Sequence, residues 1–292
     1  MKKIIYIILL TITYSSCLTA QEAHELITNL EKADTFYNFP SNNIYLQYSV
    51  SDSLANDRTL LKQLRKKEDP HHDFELLKSK ATTQELLELT KSSNKIVASY
   101  AGWGLIDREY KDILKIFNYF LNSDDEVYSA TGCLRRNRYV YSILYTKYRQ
   151  QILSGVGTTD FKRSKEILLN DTLLFKMDSL VVFKKDSDNL ILREALYNRV
   201  YSSNFLPRIK QLAFNDLNID AVKYIFKNHL QGNEKSIQAT LIRYVEEGRN
   251  KYYRNEVIRT MLLSFKNEKI NQFVLEKLPK TKKNPYLIRD KL

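Results

Sequence analysis

TQELLELTKSSNKIVASYAGWGLID, residues 83–107, is the stretch on which the reading of this chain turns. Leu86 and Leu89 lie about one turn apart, as on the buried face of a helix. Ser92, Ser93 and Asn94 then interrupt the pattern. Val97, Ala101 and Leu105 resume it at four-residue spacing. An apolar helix, a polar turn and a second helix is the form predicted here, with Asn94 able to accept the unpaired N–H groups that open the second helix.

The same form extends outward. Between 109 and 122 the apolar residues are Ile113, Leu114, Phe117, Phe120 and Leu121, a one-faced helical stripe. Val140, Ile143, Leu144, Tyr148 and Ile152 make another; Val257, Ile258, Met261, Leu262 and Phe265 a third; Ile270, Phe273, Val274 and Leu278 a fourth. Short polar breaks at 92–95, 122–126, 215–218 and 231–234 separate such stripes, with lengths typical of antiparallel helix hairpins. Composition agrees. Of 292 residues 43% are apolar and 27% charged, with 7 Gly and 5 Pro. Average usage would give roughly 20 glycines, so phosphate loops and tight β-hairpins have little material.

Sliding the chain against itself brings out a weak repeat. At an offset of 31, Leu86, Leu89, Asn94 and Ile96 fall on Phe117, Phe120, Asp125 and Val127. At 123 they fall on Ile209, Leu212, Leu217 and Ile219. In this light residues 83–107 resemble a HEAT-type unit, with Leu86 and Leu89 on the first helix, Asn94 in the turn, and Val97, Ala101 and Leu105 on the second. Ala98 stands where that family usually has Arg. The resemblance implies an all-α fold, an α-solenoid of stacked antiparallel helix hairpins over residues 81–280. It implies binding surfaces rather than chemistry.

The two ends differ from this core. Lys2 and Lys3 precede an apolar run over 4–13, then Ser15, Ser16, Cys17 and Ala20, the shape of a bacterial secretory signal over residues 1–20 and too short to span a bilayer. Ala20 before Gln21 suits ordinary cleavage, and Cys17 could instead accept a lipid anchor. Export to the periplasm or cell envelope is expected, with no transmembrane helix in the remainder. Removing 1–20 leaves 44 Lys and Arg against 34 Asp and Glu, a formal +10. Cys133 is then the lone cysteine, so no disulfide framework is available. Residues 21–80 read as an N-terminal helical cap with an irregular segment. There Ile44, Leu46, Tyr48 and Val50 alternate as a strand would, and Pro70, His71, His72 and Asp73 end a helix. Residues 281–292 are a basic C-terminal tail.

The search for chemistry returns mainly failed matches. No GxGxxG, GxxxxGK or GxSxG string occurs. His24 and Glu25 open a zinc-protease pattern that Thr28 breaks, and Asp186 and Asp188 open a calcium-loop pattern that Leu190 and Ile191 break. His71 and His72 read as a solvated loop, and His229 as a histidine at the core edge. Tyr100 and Trp103 are expected to pack against the next repeat. Cys133 has no histidine near it in sequence and reads as a small buried hydrophobe. No catalytic residue, metal site or cofactor is assigned.

Charge carries more. Residues 233–292 hold 14 Lys and Arg against 7 Asp and Glu. A second concentration interleaves Arg135, Arg136 and Arg138 with Tyr139, Tyr141 and Tyr145, then Lys147 and Arg149. Arginine beside tyrosine suits anion binding with stacking. The candidate binding residues are therefore Arg135, Arg136, Arg138, Tyr139, Tyr141, Lys147 and Arg149. Export argues against nucleic acid as a partner, leaving a protein or an anionic envelope polymer. The function predicted is non-enzymatic binding by an exported helical-repeat protein. The alternative is an envelope glycan hydrolase or lyase with a carboxylate in the superhelix groove.

Overall fold

Thr82 opens the first helix of the quoted stretch through a reciprocal cap. Its hydroxyl accepts from the Glu85 amide while the Glu85 carboxylate accepts from the Thr82 amide. That backbone bond holds the Glu85 carboxyl below its usual range. The Asn94 amide oxygen then accepts from the Ile96 and Val97 amides at 2.9 and 3.2 Å, starting the second helix. The predicted helix, polar turn and helix are all present.

The computed structural model describes residues 20–37, 70–131, 134–157, 160–197, 199–249 and 252–278. The signal-like segment up to residue 19, the alternating run at 44–50, Cys133 and the basic tail lie outside them. The described chain is mostly helical, and no helix among these residues is long and apolar enough to cross a membrane. In chain order the elements begin with α1 (Ala20–Glu31), β1 (Phe36–Tyr37), α2 (Pro70–Lys80), α3 (Thr83–Leu89), α4 (Lys95–Asp107) and α5 (Ile113–Ser123). Next come β2 (Glu126–Thr131), β3 (Leu134–Tyr139), α6 (Val140–Ile152), α7 (Phe161–Asn170), α8 (Thr172–Phe183) and α9 (Asn189–Leu196). The last are α10 (Leu206–Lys210), α11 (Ile219–Asn228), α12 (Glu234–Glu246), α13 (Tyr252–Leu263) and α14 (Glu268–Lys277).

Two compact units divide inside α8, between Met177 and Asp178. In the first, α4 is the axis, with every residue from Ile96 to Ile106 buried. Glycine makes this possible: a Cβ at Gly102 would lie 2.7 Å from Leu144 of α6, and one at Gly104 would lie 3.0 Å from Leu86 of α3. Tyr100 and Trp103 are buried as expected, but against Phe36, His71 and Phe74 from the N-terminal elements. The sequence reading of 70–73 is thereby corrected. Pro70 opens α2, where its missing N–H costs nothing, and His71 is buried in the aromatic cluster instead of sitting in a solvated loop.

A second correction concerns 122–139. Asp124 adopts a left-handed conformation at φ 54°, and the chain leaves α5 into a β-hairpin, not into a second helix opened by Val127. The sheet order is β1-β2-β3, with β1 parallel and β3 antiparallel to β2. Tyr100 anchors β1 from α4, its phenol oxygen accepting from the Tyr37 amide at 3.1 Å.

The second unit contains another helix, polar turn and asparagine-capped helix. Ile209 and Leu212 are buried like Leu86, in keeping with the offset of 123. The capping asparagine is Asn218, however, 124 residues after Asn94, accepting from the Asp220 and Ala221 amides at 3.1 and 3.0 Å. Between them Gln211–Asn215 form a π-turn, the helical form that accommodates one extra residue. Asp188 caps α9 through the Leu190 amide, which is the work left to it by the failed calcium-loop match. A buried ion pair, Arg199 Nε to Asp178 Oδ2 at 2.7 Å, joins α8 to the segment before α10. His229 ends α11 at partial burial, its ring 5.8 Å from Tyr224.

Candidate functional site on the β-hairpin

The arginine and tyrosine residues between 135 and 149 run along β3 and into α6, and strand alternation sorts them. Residue pairing across the hairpin is Glu126 with Tyr139, Val127 with Arg138, Tyr128 with Asn137, Ser129 with Arg136 and Ala130 with Arg135. The Val140 amide donates to the Asp125 carbonyl at 2.8 Å. By the alternation of an antiparallel ladder, Tyr128–Asn137 and Ala130–Arg135 are then the close, non-hydrogen-bonded pairs.

One face of the hairpin looks inward. Val127, Ser129 and Arg138 are buried there. The Arg138 guanidinium reaches over the first turns of α6, donating to the Ser142 carbonyl at 3.1 Å and the Thr146 hydroxyl at 2.9 Å. The other face carries Glu126, Tyr128, Arg135, Asn137 and Tyr139. Parallel pairing of Tyr37 with Ala130 sets Tyr37 on this same face. A row therefore crosses all three strands: Tyr37, Ala130, Arg135. Ala130, on the middle strand, is itself buried. In the next row Tyr128 is 43% exposed and Asn137 is exposed.

Of the seven residues singled out in the sequence, Arg135 and Arg136 are exposed on the hairpin and Tyr139 is half-buried at its base. Arg138 and Tyr141 are buried, which removes both from any solvent-facing surface. The Tyr139 and Tyr141 rings stack at 5.0 Å, so Tyr141 supports the face from beneath. Lys147 is held elsewhere: its ammonium lies 2.6 Å from Asp107 and 4.8 Å from the Trp103 ring centre. Asp107 also binds Lys78 at 2.9 Å, and Lys78 binds Glu75 at 2.7 Å. Burial works against the Lys78 charge, but the hydrogen bonds and attraction of these two carboxylates outweigh it and raise its pKa. This network staples α2, α4 and α6. The Arg149 guanidinium lies over the buried Tyr145 ring at 5.8 Å, away from the strands.

Comparison with known proteins leaves this surface to be read by its own chemistry. No protein family, curated protein or solved structure matches the chain. The face offers aromatic rings for stacking, the Arg135 guanidinium for oxyanions and the Asn137 amide for hydroxyls. Among the described residues no group of three His, Cys, Asp or Glu is placed to hold a metal ion. Sequence reasoning found the two exposed arginines through their charge but missed Tyr37, Tyr128 and Asn137. Local spacing has no signal for Tyr37, because its place in the site comes from pairing with residues more than ninety positions away.

Proposed function

We propose that this is an exported, non-enzymatic binding protein that holds an anionic envelope polymer on the exposed face of its β-hairpin. The observation that carries the reading is the row Tyr37, Ala130, Arg135, with Tyr128 and Asn137 beside it; Arg136, paired with Ser129, lies on the opposite face of the hairpin. A polymer of sugar rings bearing carboxylates or phosphates matches that face: ring faces against tyrosine, anionic groups on arginine, hydroxyls on asparagine. The formal +10 of the chain after residue 20 adds long-range attraction.

The helices that carry the hairpin are read as HEAT-type pairs. Two features support this. The capping asparagines also reach back to an earlier element, Asn94 Nδ2 to the Glu31 carbonyl at 3.1 Å and Asn218 Nδ2 to Asn189 Oδ1 at 3.0 Å. Arginines also close the ends of earlier helices, Arg108 binding the Lys78 and Ala81 carbonyls and Arg208 those of Val182 and Lys184. Recurring polar links between turns are what a stack of helix pairs requires.

The test is titration calorimetry with polygalacturonate as the acidic polymer and dextran as the neutral one. Arg135→Glu and Tyr128→Ala should each weaken polygalacturonate binding at least about tenfold, the first because like charge at a contact costs several kcal/mol and the second because it removes a stacking ring. Dextran should bind weakly throughout. Arg138 is left intact because reversing a buried charge unfolds the hairpin. Folded variants that bind polygalacturonate as the parent does would overturn the assignment of this face.

A further inference from the structure

The exposed face of the hairpin does not carry one sign of charge. The alternation that puts Tyr128, Asn137, Tyr139 and Arg135 on this face puts Glu126 there as well, on β2 directly opposite Tyr139. Glu126 is exposed, and among the described residues its carboxylate has no ion-pair partner. Of the acids before it, Asp124 lies outside the ladder, and Asp125 is held 3.1 Å from the Lys95 ammonium. Arg135 pairs with Ala130, four residues further along β2. At about 3.4 Å per residue the two charges stand about 14 Å apart along the strand. Tyr128 and Asn137 fill the row between them, and the Tyr139 ring beside Glu126 is steadied by stacking on Tyr141 at 5.0 Å.

That separation exceeds the Debye length of about 8 Å at physiological ionic strength, so neither charge cancels the other. Each acts on whatever lies against it. A ligand laid along β2 meets a cation at one end and an acid at the other, with aromatic and amide groups between. Resting on the reading of this face as a glycan seat, we infer that Glu126 sets its selectivity: the ligand is an acidic glycan whose anionic group lies at the Arg135 end and whose rings toward Glu126 are uncharged. A carboxylate accepts hydroxyl hydrogens from a neutral sugar beside the Tyr139 ring. It repels an anion in the same place, which is how a charge rejects a wrong partner. A chain with an acid on every ring is therefore held by Arg135 and resisted by Glu126.

Two tetrasaccharides separate the cases in titration calorimetry of the full chain: tetragalacturonate, with a carboxylate on every ring, and glucuronosyl-xylotriose, with one carboxylate on its terminal ring. The positive net charge favours the first probe in every variant, so the quantity read is the ratio of the two affinities. Glu126→Gln should move that ratio toward tetragalacturonate by about fivefold, the effect of one like charge about 4 Å away in water. Glu126→Asp keeps the charge and should keep the parent's ratio. The shift should shrink as salt rises, because screening removes the repulsion. A merely structural role for Glu126 would lower both affinities together and leave the ratio where it was. That result overturns the inference, and so does a shift that Glu126→Asp reproduces. If Arg135→Glu weakens both probes while Glu126→Gln leaves their ratio alone, the selectivity falls and the glycan seat stands. If the parent binds neither probe, both fall.

Discussion

Asn94 and Asn218 do the same work with different partners, and one substitution should tell them apart. Each accepts two backbone N–H bonds at the start of a helix, and each donates its amide N–H to an earlier element. Alanine at either position removes cap and bridge together, for a loss of about 1–2 kcal/mol in urea unfolding. Aspartate keeps the cap and loses the donor. At Asn94 the bridge partner is the Glu31 carbonyl, which can only accept, so Asn94→Asp faces oxygen with oxygen. At Asn218 the partner is the Asn189 side chain, which can turn its amide to donate. Asn94→Asp should therefore be clearly destabilising and Asn218→Asp nearly neutral. Equal losses in the two aspartate variants would mean that the bridges contribute nothing. The same residue-level chemistry explains Asp171, whose carboxylate accepts from the Leu174 amide at 2.6 Å and from the Tyr148 phenol at 3.1 Å. Burial, reinforced by that carboxylate, pushes the Tyr148 pKa well above the ordinary phenol range.

At the level of elements, α4 decides how closely its neighbours approach. Gly102→Ala would gain about 1 kcal/mol of helix propensity but would set a methyl 2.7 Å from a fully buried Leu144, and overpacking of that kind costs about 1–3 kcal/mol. The single variant should lose stability. Leu144→Val shortens the opposing side chain, so the double variant should be more stable than the two single losses predict, with a coupling of at least about 0.5 kcal/mol in a double-mutant cycle. Simple additivity would show that Leu144 swings aside. Periodicity made such elements readable: Ile113, Phe117, Phe120 and Leu121 are buried on α5 as their spacing required. It failed where the period changed. Residues 134–139, LRRNRY, have too many charges to show strand alternation, because one inward position is filled by Arg138, a cation satisfied by α6. Val127 aligns with Ile96, which lies in the first turn of a helix, although the turn before Val127 leads into β2. In the second unit a π-turn moved the cap by one residue, so a rigid offset matched the first helix and slipped at the turn. The candidate site was legible only as charge, since one of its three strands, β1, joins the hairpin from more than ninety positions earlier in the chain.

Across the whole molecule, burial is distributed so unevenly that local opening should follow it. The first unit is built around α4, buried from Ile96 to Ile106, while α7 in the same unit has no buried residue. Amides open locally at a cost set by the packing they must break. In native-state hydrogen exchange α4 should therefore exchange near the rate of the unit's full unfolding, and α7 orders of magnitude faster. Leu105→Ala removes a fully buried side chain from α4 and should cost about 2–5 kcal/mol. Protection in α4 should then fall at least about thirtyfold. The rate in α7 should not move, because its openings break none of the contacts that Leu105 makes. Were α7 instead to lose protection in step with α4, the two would open as one cooperative body, and α7 would be packed core rather than a surface helix exposing Phe161 and its lysines.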